Sequence, residues 1–85
     1  MDDNAVNSLK MNKEITLEKR AKVAEIILQA RIQKGLTQTE LADRIGFARN
    51  TIVRIENCRF SPNSDQLYAL CAELDIKLEL DSNVI

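Results

Sequence analysis

Residues 36–56 read LTQTELADRIGFARNTIVRIE, and the fold turns on how that stretch is punctuated. Thr37-Gln38-Thr39-Glu40 is a capping box, in which the Thr37 hydroxyl and the Glu40 carboxylate each satisfy a free backbone N–H at a helix start. A short helix follows through Leu41, Ala42 and Ile45. Gly46 then permits the positive φ of a sharp turn, and Phe47 behind it is a core anchor. A third helix runs from Ala48 or Arg49 to Glu56, with Ile52 and Ile55 inward at helical spacing. Two short helices thus meet across a tight glycine turn, and Arg49, Asn50, Val53 and Arg54 project from the outer face of the second of them.

Upstream, Thr16 is a plausible N-cap, and a long helix is expected from there to Lys34, with Gly35 as its C-terminal stop. Leu17, Ala21, Ala24, Ile27 or Leu28, and Arg31 recur at three- and four-residue steps, widened by Val23, Ile26 and Ala30. Residues 1–15 show no sustained period. They are expected to form an arm of uncertain order, with Leu9, Met11 and Ile15 in a short extended piece. Downstream, residues 57–62 read as a loop, and Asn63 caps a fourth helix carrying Leu67, Leu70, Cys71 and Leu74 on one face. Residues 16–74 therefore form one domain, and residues 75–85 form a tail.

Within that tail, Ile76-Lys77-Leu78-Glu79-Leu80-Asp81 alternates apolar and charged residues, the period of a half-buried strand. A lone strand leaves its N–H and C=O groups unpaired. The economical remedy is antiparallel pairing with the same segment of a second chain about a two-fold axis, so Ile76, Leu78 and Leu80 are the expected dimerisation strand. A frayed helical tail, or pairing with the N-terminal arm or another protein's edge, remains open.

Composition agrees with a helical domain: 85 residues, 4% aromatic, two glycines and one proline. A chain so short buries a modest fraction of its surface, which makes self-association unsurprising. The formal charge is −1, at first sight wrong for a phosphate-rich partner. The distribution of charge points the other way. Between Lys19 and Arg59 lie nine cations against four acids, a surplus of +5, so the two ends together carry −6. A basic middle is the electrostatic footprint of nucleic-acid binding, although an ordinary mixed surface would also produce it.

Other classes find little support. Cys58 and Cys71 lie too far apart for a CxxC pair, and without histidine a zinc site lacks half its usual ligands; both are expected as free thiols, buried or half-buried. Neither metal nor cofactor is expected. No nucleophile stands beside an evident base, so an enzyme is not expected. Asp2 and Asp3 without an apolar run behind them argue against a signal peptide, and no stretch is long enough to span a bilayer, so no membrane association is expected and the cytoplasm is the expected location.

The spaced residues Arg31, Gly35-Leu36-Thr37-Gln38, Glu40-Leu41-Ala42, Ile45-Gly46, Thr51-Ile52, Arg54-Ile55-Glu56-Asn57, Pro62 and the Leu67/Leu70/Leu74 helix resemble the Cro and phage-repressor type of helix-turn-helix family over most of residues 17–76. The resemblance implies an all-α bundle of four or five helices whose third helix enters the major groove of double-stranded DNA. It places Arg49, Asn50 and Arg54 at base-reading positions. Their chemistry suits that use independently, since arginine can donate two bonds to guanine and asparagine can pair with the edge of adenine. Gln38, at a helix start that favours anions, matches a glutamine that relatives use on the DNA backbone. Thr51, Asn57 and Arg59 are further candidates for phosphate.

By the same resemblance, Arg31 and Glu56 pair across the core. Two positions depart from the family pattern. Ala48 replaces the usual Ser or Thr N-cap of the reading helix, and Cys58 stands where many relatives have glycine, so either Asn57 turns left-handed or the helix ends differently. The implied function is a dimeric repressor of a two-fold symmetric operator. The strand-like tail resembles antitoxin-like members, which implies a toxin as a protein partner. A protein-binding module with weak or lost DNA contact is the alternative, favoured by the acidic ends.

Overall fold

A computed structural model describes the backbone of residues 2–85 and the side chains of residues 13–85. Four helices follow one another, α1 (Asp2–Gln33), α2 (Gln38–Ile45), α3 (Arg49–Glu56) and α4 (Ser64–Leu74), and the short strands β1 (Glu79–Leu80) and β2 (Asn83–Val84) close the chain. The core is a single cluster: Ile27 of α1, Leu36 of the following loop, Leu41 and Ala42 of α2, Ile52 and Ile55 of α3, and Leu70 and Leu74 of α4. Phe47 and Phe60 pack against it from the loops on either side of α3.

Local chemistry sets the helix limits. Thr37 and Asn63 each head a complete capping box, with Glu40 and Gln66 as the reciprocal partners. All four helices stop the same way, with one residue in the left-handed region and the next amide donating back over the last turn. The left-handed residues are Gly35, Gly46, Cys58 and Asp75, and the closing bonds run from Leu36 to Arg31, Phe47 to Ala42, Arg59 to Arg54 and Ile76 to Cys71. At α3, therefore, Asn57 keeps φ −91° and Cys58 itself takes φ +61°, so of the two alternatives it is the different helix end that the structure shows.

Two expectations are corrected. The N-terminal segment is not an arm with an extended piece: α1 begins at Asp2 and passes through Thr16 without interruption. Residues 1–34 contain neither glycine nor proline, so nothing breaks the helix, and Thr16 is not its cap. Because α2, α3 and α4 are only 8, 8 and 11 residues long, they cover just part of the 32-residue α1. Ala24 and Ile27 are buried, but Leu17 and Ala21, expected on the core stripe, stand exposed.

The second correction concerns the tail. β1 pairs antiparallel with β2 of the same chain, Glu79 opposite Val84 and Leu80 opposite Asn83, and the Ile85 amide donates to Leu78 O at 2.7 Å. Asp81 and Ser82 both have positive φ, the conformation of a two-residue hairpin turn that matches strand twist. Residues 83–85 thus partner one edge of this strand within the chain. Ile76 packs on the core and Leu78 is half-buried, whereas Leu80 is exposed.

Candidate nucleic-acid interface

The turn between α2 and α3 is fixed from both sides. Gly46 has φ +73°, and the Phe47 amide donates to Ala42 O at 2.8 Å. Ile52 and Ile55 anchor α3 in the core at 0% and 1% exposure, which orients its remaining faces. Arg49, Asn50 and Arg54 are exposed on it, and Thr51 and Val53 are half-buried at its flanks. Ala48 makes no side-chain cap, as its identity dictates; the first turn is held by the Thr51 amide on Ala48 O.

Arg31 and Glu56 pair as the family resemblance implies. The bond is bidentate: Arg31 Nε donates to Glu56 Oε2 at 2.7 Å and Nη2 to Oε1 at 2.9 Å, while Nη1 donates to Leu36 O at 2.8 Å. Their side chains are 12% and 4% exposed. The hydrogen bond to Glu56 is the main reason the guanidinium is pushed above its ordinary pKa, outweighing the opposing effect of burial. One pair thus joins α1, the α1–α2 loop and the end of α3.

The network continues outward through Gln38. Its Nε2 donates to Glu56 Oε1 at 3.0 Å, and its Oε1 accepts from Arg49 Nη2 at 3.4 Å. Gln38 therefore bridges the buried carboxylate and the first outward arginine of α3. Its position in sequence suggested the anion-friendly end of α2 but gave no sign of this bridge, which depends on how the two helices are packed. Glu56 is also the sole acid of α3, and because Arg31 covers it, the outward face of that helix carries only positive charge.

At the far end, the Arg54 guanidinium lies 5.3 Å from the centre of the Phe60 ring, a cation–π contact that limits its swing. Phe60 was not among the expected site residues; six positions separate it from Arg54, and only the turn at Cys58 brings it back. Asn57 and Arg59 are exposed at this end of α3. The structure thus groups Arg49, Asn50, Thr51 and Arg54 on α3, Gln38 beside its start, and Asn57 and Arg59 at its close. Ile76, Leu78 and Leu80 belong to the tail and lie outside this group. Cys58 is exposed and Cys71 is buried, and burial pushes the Cys71 thiol up. Among the described residues, no helix is long and apolar enough to cross a membrane.

A model of the family described as Helix-turn-helix matches residues 27–80, a span that runs from the core of α1 to β1. A curated relative from Methanothermobacter thermautotrophicus, named as an uncharacterized HTH-type transcriptional regulator, is 47% identical over 38 residues, 45% of this chain. The chain spans 55% of that relative's length. No solved structure matches. The matched span holds the glycine turn, the Arg31–Glu56 pair and the outward face of α3, and the chain belongs to the Cro and phage-repressor type of helix-turn-helix family.

Proposed function

We propose that the chain is a sequence-specific DNA-binding repressor that acts as a homodimer on a two-fold symmetric operator. In each subunit α3 lies in the major groove. Arg49, Asn50 and Arg54 read base edges, and Gln38, Thr51, Asn57 and Arg59 hold phosphates and set the register. The observation that carries the reading is the exposed face of α3, its single acid neutralised and its base clamped to the core by Arg31, Glu56 and Gln38. Half-sites should lie about 34 Å apart, one turn of the duplex, so that both helices meet the same side of the DNA.

Selection of bound DNA from a random pool, followed by a mobility-shift assay, tests this. One enriched two-fold symmetric site is expected, with Arg49→Ala and Asn50→Ala together weakening it ~tenfold or more, since each bidentate base contact is worth about 1–3 kcal/mol. Retention of full affinity in that double variant would support the alternative of a protein-binding module. A toxin partner and an antitoxin role follow from the tail's resemblance alone; co-purification with the product of an adjacent gene is the measurement that bears on them.

A further inference from the structure

Arg54 differs from the other arginines around α3 in how it is held. Arg31 is bound to Glu56 and Leu36 O, Arg44 to Glu73, and Arg49 donates to Gln38. The Arg54 guanidinium instead lies over the Phe60 ring, its carbon 5.3 Å from the ring centre. Among the described residues, no carboxylate or amide oxygen takes a bond from it. A ring face attracts the cation as a whole and claims no particular N–H. The donor edge of Arg54 thus stays available while the side chain is held.

Phe60 is itself firmly supported. The left-handed turn at Cys58 brings the chain back so that the Arg59 amide donates to Arg54 O at 2.8 Å, which ties the residue before Phe60 to the backbone of Arg54. The ring is half-buried and packs against the same core cluster that anchors α3 through Ile52 and Ile55. Support and reader are therefore fixed to one body. An unheld arginine on a helix surface has several rotamers of similar energy, some directed at a base edge and others at a phosphate. Holding one of them in advance lowers the entropy lost on binding and decides which target the group meets.

We propose that Phe60 is a positioning residue for DNA reading: it holds Arg54 with its donor edge open, so that Arg54 reads guanine and is kept from the phosphates beside Asn57 and Arg59. Guanine is the base this arrangement suits, because its O6 and N7 accept the two parallel bonds that an open guanidinium fork donates. Phe60 needs no DNA contact of its own for this; it acts through Arg54. The inference rests on the DNA-binding reading above and adds to it the residue that sets the base preference at the end of α3.

Base preferences of the full chain, read by sequencing the DNA it binds from a random pool, test this with the variants Arg54→Ala, Phe60→Leu, Phe60→Tyr and Arg54→Ala/Phe60→Leu. Arg54→Ala should abolish the preference at one base pair, and the base lost there should be guanine. Phe60→Leu keeps an apolar side chain on the core but removes the ring. It should cut the guanine preference at that base pair about two- to fivefold, the worth of an exposed cation–π contact, and leave the other base pairs as they are. Phe60→Tyr keeps the ring face and should keep the wild-type profile. In the Arg54→Ala background, Phe60→Leu should change the profile no further, which a role in packing alone does not produce. A measurement without DNA accompanies these: NMR of the free chain should show Arg54 side-chain protons shifted upfield by the ring, and the shift should vanish in Phe60→Leu. An unchanged guanine preference in Phe60→Leu, a loss spread evenly over the site, a base other than guanine, or no ring shift would overturn the positioning role and leave DNA binding standing. A wild-type chain that selects no site would overturn the DNA-binding reading, and the positioning role with it, whatever the NMR spectrum shows.

Discussion

Cys58 holds φ +61°, a conformation in which a side chain crowds the following carbonyl at a cost of about 1–2 kcal/mol. Glycine removes that crowding but adds freedom to the unfolded chain, so Cys58→Gly should gain about 1 kcal/mol net. For a domain of this size, that is a rise in Tm of about 4–8 °C by calorimetry, and an unchanged or lower Tm would show that the turn is not strained. A second single position, Glu56, acts oppositely. Glu56→Gln leaves Arg31 charged and nearly enclosed, with only Leu36 O as a full partner, and should cost about 3 kcal/mol, the low end for breaking a buried pair. Replacing both, as Arg31→Met with Glu56→Leu, should restore most of the stability in a denaturant melt. DNA affinity should stay low in that double variant, because Gln38 loses the carboxylate that holds it beside Arg49. Recovery of both together would sever the network from DNA reading.

At the scale of the element, the capping box of α2 makes helix stability depend on pH. Accepting the Thr37 backbone N–H is the main reason Glu40 is held below the ordinary glutamate pKa, with the Thr37 hydroxyl and Arg44 adding to it. A carboxylate whose pKa is depressed by folding contributes stability that is fully present above its unfolded value, about 4.3, and is lost as pH falls through the folded one. Glu40→Gln can still accept the bond but does not titrate. Its Tm should therefore fall less steeply than that of the wild-type chain below about pH 4; parallel curves would remove Glu40 from the acid transition. This box, Gly46 and the Asn63 cap were all legible in the sequence because each is decided within four or five residues. The pairing of Arg31 with Glu56 was legible through family resemblance, and the outward face of α3 through the inward spacing of Ile52 and Ile55. What was hidden depends on neighbours far along the chain or on reading one residue further. The bridge of Gln38 and the ring of Phe60 under Arg54 exist only once the helices are packed. The hairpin was missed because Asp81-Ser82 lacks the glycine that usually marks such a turn, and the length of α1 because polar, aperiodic residues form a helix as readily as an arm when no breaker interrupts them.

For the whole molecule, net charge and local charge make opposite forecasts. The chain carries −1 overall, yet the segment from Lys19 to Arg59 carries +5. Binding driven by displaced counterions responds to the cations that touch phosphate, with log K falling against log salt at about 0.9 per phosphate neutralised. A dimer that sets Arg59 of each subunit on the duplex backbone should therefore lose about 2 from that slope on Arg59→Gln, with little change in operator preference. Asp81→Asn changes net charge by the same amount with the opposite sign, at a turn position whose positive φ asparagine tolerates. If the overall field governed binding, it would strengthen affinity and alter the salt dependence; if the contacts govern, the slope stays as in the parent. Titrations of both variants with one operator over a range of salt separate the cases. Equal and opposite shifts would mean that the net charge of the chain, and not the contacts of its basic middle, sets the affinity of this protein for DNA.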